Sequence, residues 1–204
     1  MNLKETIEAR ASIRSYIDEA IPEKDLREIV RLAGLAPSIN NSQPWKFLAI
    51  TDKEMLQKMA EEVIKSIAGI PASKTRVANN IKSQVAWYSS FFEEAPVLIA
   101  LASQAYDPVL AKGVSMDPKE INAKRNFPDI QSVGACIQNL LLAATSLGYG
   151  SCWLSGPLFA REKLEKMLEI TEPWSLMTFV ALGKTKHAGK PKPKRNLGDE
   201  LIIL

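Results

Sequence analysis

Pro37-Ser38-Ile39-Asn40-Asn41-Ser42-Gln43-Pro44-Trp45 is the stretch on which the reading of this chain turns. Two prolines bracket a run of amide and hydroxyl side chains, and the apolar segment Trp45 to Ile50 follows at once. Short polar side chains between prolines favour a turn that bonds its own backbone, and the bulky residues after it read as a strand. A second polar cluster, Arg10-Ala11-Ser12-Ile13-Arg14, lies upstream. Its two guanidiniums and one hydroxyl form a natural grip on a phosphate or another anion. The two clusters together point to a bound small molecule with one charged end and one flat, hydrogen-bonding end.

Outward from these clusters the pattern alternates between helix and strand. Pro22 opens a helix whose apolar face is Leu26, Ile29, Val30 and Ala33, and Gly34 ends it. Asp52 caps a helix with Met55, Leu56, Met59, Val63 and Ile67 on its inner face. Residues 74–94 read as a further helix, with Trp87, Tyr88, Phe91 and Phe92 crowded at one end. Val97 to Leu101 reads as an interior strand. Residues 104–128, with Pro108, Gly113, Pro118 and Pro128, read as a loop-rich excursion over a cleft. Residues 130–147 form the strongest helix, apolar nearly all round and therefore expected to be central and buried. Strands are expected near Cys152-Trp153-Leu154 and over Met177 to Leu182, with a turn at Ser155-Gly156-Pro157 and a helix over 161–169 between them. The chain ends Leu201-Ile202-Ile203-Leu204, four apolar residues that need a surface to cover them.

Composition narrows the function classes. A chain of 204 residues with 46% hydrophobic residues makes one domain with a proper core. A net charge of +3 is too weak to imply nucleic acid. The basic residues do concentrate between Lys184 and Arg195, with five Lys, one Arg and no acid, which reads mainly as a solvated loop. Cys136 and Cys152 lack metal-ligand spacing, and His187 is the only histidine, so no metal site and no Ser-His or Cys-His relay is expected. Both thiols, like Trp45 and Trp153, are expected to pack in the interior. No apolar run is long enough for a membrane span or a signal peptide, and a cytoplasmic location is expected.

Taken singly, each motif has an ordinary reading: surface arginines at a helix end, an Asx-type turn before a strand, a glycine-terminated helix. Their order is more specific. Arg10 to Arg14, Ala36-Pro37-Ser38 through Trp45, the apolar helix leading to Gly148-Tyr149-Gly150-Ser151-Cys152-Trp153, and the late Lys194-Arg195 pair resemble the nitroreductase family of FMN flavoproteins over nearly the whole chain. The resemblance implies an α+β sandwich with a mostly antiparallel sheet flanked by helices. It also implies an intertwined homodimer with FMN bound non-covalently at the subunit interface, and a C-terminal arm, here residues 196–204, that wraps the partner.

By the same resemblance, Arg10 and Ser12, with Lys194 and Arg195, would grip the phosphate, Ala11 would also contact the cofactor, and Arg14 would lie near the pyrimidine edge of the ring. Pro37, Ser38, Ile39 and Asn41 would come from across the interface. Leu154, Ser155 and Gly156 would face the N5 side, where Gly156 would admit a close backbone approach. The implied activity moves a hydride from NAD(P)H to the flavin and then to a nitroaromatic, quinone or similar flat acceptor by a ping-pong mechanism. Two departures stand out: Ser155 replaces an acidic residue of many relatives, and Lys184-Thr185 replaces a common Tyr-Pro pair. The middle helix offers no clear flavin contact beyond Asn79, Asn80 and Lys82. Two other readings stay open: a dehalogenating, flavin-fragmenting or ring-oxidising enzyme on the same fold, and a non-enzymatic binding protein that uses the basic loop.

Overall fold

The computed structural model describes residues 1–185, 189, 202 and 203. Its centre is a four-stranded antiparallel sheet in the order β1-β2-β4-β3, formed by β1 (Trp45–Ile50), β2 (Val97–Gln104), β3 (Gly150–Leu154) and β4 (Trp174–Gly183). β2 is an unbroken apolar run because it is central and covered on both faces: every residue before Gln104 is buried. Its side chains alternate. Leu98 and Ala100 join one core, while Ile99 and Leu101 join the other.

The first core is closed by α3 (Lys53–Ala68), through Leu56, Met59, Val63 and Ile67, and by α4 (Arg76–Ser90), which packs on α3. Asp52 caps α3 as expected, its carboxylate accepting from Met55 N at 2.7 Å. The second core is closed by α2 (Glu23–Ala33) and α6 (Pro128–Ser146), through Ile29, Ala33, Val133, Ile137 and Leu140. Gly148, at φ +83°, takes the left-handed turn that ends α6 and starts β3. Short helices complete the chain: α1 (Leu3–Ala9), α5 (Pro118–Lys124) and α7 (Arg161–Met167). None of the helices among the described residues is long and apolar enough to cross a membrane.

Two details of the sheet position the site. The chain after α1 lies along the free edge of β3: Ser12 and Ser151 form a parallel bridge, and Ile13 N donates to Ser151 O at 2.9 Å. Arg10 to Arg14 is thus held against the last strand before the Ser155-Gly156 turn. A bulge interrupts the β2–β4 pairing, so that Leu101 faces Thr178 while Ala102 faces Leu176. The extra residue, Met177, changes the alternation of β4 and turns Met177 and Thr178 toward the end of β3.

Two expectations are corrected. The 130–147 helix is not buried all round, because Ile130 and the adjoining Leu147 are exposed in the single chain. Its core-facing stripe is Val133, Cys136, Ile137, Leu140, Leu141 and Ala144, an ordinary one-sided packing. Trp153 is not a core residue either: 47% of it is exposed.

Tyr149 joins the start of β3 to α2, its hydroxyl donating to Asp25 Oδ2 at 2.5 Å. Burial first, and this bond second, push its phenol up to about 12, against about 10 for a free tyrosine. A raised phenol pKa favours folding while the group is neutral. This contribution is therefore complete below pH about 10 and is lost as pH rises through about 12. Tyr149→Phe is expected to cost about 1 kcal/mol at neutral pH. Urea denaturation should show the gap from wild type closing between pH about 10 and about 12; a gap that persists above that range would remove the hydrogen bond as its cause.

Candidate active site

The end of β3, the turn after it and the C-terminal half of α4 enclose a cavity of about 460 Å³, within the usual range for small-molecule sites. Arg14 enters it from the edge segment, its guanidinium 5.4 Å from the ring centroid of Tyr88, a cation–π contact that fixes the charge at the rim. Gln84 and Ser89 of α4 add polar groups, and Leu154, Trp153 and Phe159 add flat or apolar walls. Ser155 and Gly156 form part of the lining. Burial pushes the Cys152 thiol up, against the opposing pull of Arg14, and Cys136 rises to about 12 by burial. Neither is a thiolate at neutral pH, so neither is a ready nucleophile.

Gly156 has a reason the sequence did not disclose. A Cβ there would lie 2.2 Å from Ser89 Oγ and 2.9 Å from Ser89 Cβ. The glycine lets the turn after β3 close against α4.

Trp153 connects this cavity to a second one of about 370 Å³, which lies against Ile130, Val133 and Gly134 of α6. Its indole N–H donates to Thr178 Oγ1 at 2.7 Å, and Thr178 Oγ1 donates to Leu154 O at 2.7 Å. Trp153 alternates with Cys152 and Leu154, which face the first core, so its indole lies on the α6 side of the sheet, where it borders an open cavity and stays exposed.

The Pro37 to Gln43 stretch lies elsewhere, at the start of α6. Asn40, Asn41 and Gln43 have φ of +48°, +53° and +45°, a left-handed conformation that asparagine tolerates better than most residues. Ser38 Oγ closes the turn by accepting from Gln43 N at 3.0 Å. Ile39 N donates to Ser132 Oγ at 3.1 Å, and Asn40 Nδ2 donates to the Tyr106 hydroxyl at 2.5 Å. Pro37, Ser38 and Ile39 line a third cavity of about 370 Å³ together with Arg125 and Gln131. Asn41 is exposed and accepts from Gln43 Nε2 at 3.3 Å.

The expected site residues therefore fall into two groups in one chain. Arg14, Leu154, Ser155 and Gly156 share a cavity, and Arg10, Ala11 and Ser12 lead into it along β3. Ser12 is exposed, and Ser151 Oγ, buried at the same bridge, has no hydrogen-bond partner among the described residues. Pro37, Ser38 and Ile39 line a different cavity. Lys194, Arg195 and most of the arm 196–204 lie outside the described residues. Ile202 and Ile203 are exposed. Gly189 passes so close to the edge segment that a Cβ on it would fall 2.2 Å from Ile13 and 2.9 Å from Ala11.

Of the middle-helix candidates, Lys82 has a structural role. Its ammonium donates to Ala68 O and Ile70 O at 2.8 and 2.6 Å, closing the end of α3. The lining residues that sequence reasoning misses as ligand contacts are Gln84, Tyr88, Ser89 and Trp153. The aromatic crowding near Tyr88 is the available signal, and by itself it reads equally well as helix packing.

Comparison with known proteins bears on this geometry. A model described as "Nitroreductase family" matches residues 7–184. A protein of Archaeoglobus fulgidus, provisionally named NADH dehydrogenase/NAD(P)H nitroreductase, is 32% identical over 187 residues, covering 88% of this chain and 83% of its own. The crystal structure of a BluB-like flavoprotein from Clostridium difficile 630 superposes with a TM-score of 0.87 at 29% identity, covering 100% of this chain and 99% of that one. A nitroreductase with bound FMN from Desulfitobacterium hafniense DCB-2 has the same fold, with a TM-score of 0.74 at 24% identity over 98% of this chain and 97% of its own.

Proposed function

The chain belongs to the nitroreductase family, and we propose that it is an FMN-dependent oxidoreductase that takes electrons from NAD(P)H and passes them to a nitroaromatic, quinone or similar flat acceptor. The observation that carries the reading is the cavity between β3 and α4. It combines one fixed cation, Arg14, with flat walls and amide and hydroxyl groups, and it lies beside the Arg10 to Ser12 cluster. That donor set suits a ligand with an anionic tail and a planar ring. The unpartnered Ser151 Oγ beside Ser12 is a further polar atom at the tail end.

FMN bound here would supply two-electron redox chemistry between the nicotinamide and the acceptor. The protein's own residues hold and tune it. Arg10 and Ser12 would hold the phosphate, with Ala11 between them against the cofactor; Lys194 and Arg195, expected to share that role, lie outside the described residues. Arg14, fixed over Tyr88, would set a positive charge beside the ring and favour its negatively charged form. Leu154, Ser155 and Gly156 position the edge of the ring, and Trp153, locked by Thr178, walls it.

The active form in this proposal is a homodimer. Pro37, Ser38, Ile39 and Asn41 lie outside the cavity of their own chain. A second copy would bring them to it, covering the exposed Ile130, Trp153 and Phe159.

Anaerobic spectroscopy tests this directly. The protein should purify yellow, NADH or NADPH alone should bleach it, and a quinone or nitroaromatic should restore the colour. Steady-state rates should give parallel double-reciprocal lines, as a shared cleft used in turn requires. A loaded flavin that neither nicotinamide bleaches would defeat the proposal and favour specialised dehalogenating, flavin-fragmenting or ring-oxidising chemistry. A colourless protein that cannot take up FMN would favour a binding protein.

A further inference from the structure

The cavity beside the Pro37 turn holds a cation that the activity proposed above leaves unused. Among the described residues eight line it, and Arg125 is the single charged one of these, with no acidic side chain in the lining. The other walls are the hydroxyls of Ser38 and Ser132, the amide of Gln131, and the apolar surfaces of Pro37, Ile39, Pro128 and Ala135. Among the described residues Arg125 has no acidic partner. Its guanidinium lies over the face of Tyr106, at 5.9 Å from the ring centroid, which leaves its planar N–H donors available.

The position of Arg125 is over-determined. It sits in the turn between α5 and α6, where Asn126 and Phe127 both have positive φ, +53° and +54°; for a bulky residue such as phenylalanine this conformation costs energy and persists only when its surroundings enforce it. The enforcement is visible. Gln131 Nε2 donates to Arg125 O at 3.1 Å and to Asn126 O at 2.9 Å. Asn122 Nδ2 donates to Tyr106 O at 2.7 Å, and the Tyr106 hydroxyl accepts from Asn40 in the polar turn across the cavity. Tyr106 is buried and serves both as the surface under the guanidinium and as the tie between the two walls. The backbone that carries Arg125 is fixed, and its exposed guanidinium lies over an aromatic face at a small cavity with no acid among the described lining residues, an arrangement suited to a carboxylate or an anion of like shape.

We propose that Arg125 is a specificity-determining residue that binds an anionic substituent on a flat aromatic acceptor, so that aromatic carboxylates or comparably charged rings are the preferred acceptor class. The inference rests on the oxidoreductase reading for the word acceptor, but the anion contact is measurable without turnover. With Pro37, Ser38 and Ile39 turned to the flavin of the second copy, the apolar surfaces of Pro128 and Ala135 border the acceptor ring, Ser132 and Gln131 flank it, and the guanidinium takes the charge.

The test compares 4-nitrobenzoate with methyl 4-nitrobenzoate, which keeps the ring and the nitro group but removes the charge. Binding to the oxidised FMN-loaded protein is read by calorimetry and by perturbation of the flavin spectrum, without an electron donor. The acid should bind about tenfold or more tighter than the ester. Arg125→Gln should weaken the acid by about 10- to 100-fold and leave the ester unchanged, while Arg125→Lys, which keeps the charge, should retain part of the preference. Equal binding of acid and ester, or equal losses for both, would overturn the proposal. So would loss of flavin from Arg125→Gln, which would assign the residue to the cofactor, or loss of dimer mass with unchanged acid binding, which would assign it to the second copy. If the protein takes up no FMN, the oxidoreductase reading fails separately. Calorimetry on the protein as purified then still decides whether Arg125 separates acid from ester.

Discussion

Replacing Arg10 and Arg14 together by alanine is expected to weaken FMN binding by about 10²- to 10⁴-fold while leaving the fold intact. Each charge-assisted hydrogen bond to an anion contributes about 1.5–3 kcal/mol, and the pair removes two cations from one ligand. Arg14 sits at the rim of the 460 Å³ cavity, packed on Tyr88, and Arg10 is half-buried at the end of α1, where the chain turns onto β3. Among the described residues neither has an acidic partner that folding would miss. The matched control is Arg27 and Arg31 on the outer face of α2, each paired to a glutamate of its own helix. Their replacement removes the same net charge far from the cavity. Fluorescence titration of the stripped proteins with FMN gives the constants, and thermal melts without FMN report the fold. Equal losses from both pairs would show that the effect is general electrostatic attraction and not a site.

The largest effect on stability is expected from Phe179→Ala, about 3–5 kcal/mol. Phe179 is fully buried, lies opposite Leu154 in the β3–β4 ladder, and stacks on Phe92 with ring centroids 6.3 Å apart. It therefore joins the sheet to the segment that follows α4, beneath the cavity. Truncation leaves a void between rigid elements that cannot collapse onto one another, so the loss exceeds the transfer free energy of the ring alone. Val77→Ala, at a position 67% exposed on α4, should stay within about 0.5 kcal/mol. Urea denaturation of the two variants decides the matter, and a Phe179→Ala cost near that of the control would mean the core repacks around the gap. Because Leu154 rests on Phe179, the same variant should also hold flavin less well.

The elements legible in the sequence were those whose signals are local. The Asp52 cap fixed the start of α3 and its apolar stripe fixed the buried face, and Gly148 marked the end of α6. The apolar run from Val97 identified the central strand, because a strand covered on both faces leaves no alternation. The Arg10 to Arg14 and Leu154 to Gly156 segments were legible as site candidates from their order along the chain, and the fold brings them to one edge of β3.

What only the tertiary structure decided depends on contacts between residues far apart in sequence. Tyr88 and Ser89 became cavity walls because α4 packs against the turn after β3, and Gly156 is small because Ser89 occupies the place of its side chain. Trp153 takes its face by alternation with the core-facing Cys152 and Leu154, but its exposure was decided by a cavity left beside α6, where Thr178 of β4 fixes its indole, and nothing within β3 encodes how far α6 covers the strand. Ile130 belongs to an apolar helix by sequence yet lies exposed, because α6 buries one stripe against α2 and the sheet and leaves the other uncovered in a single chain. Local propensity and patterning choose the elements, and the register and packing between them choose which side chains share a cavity.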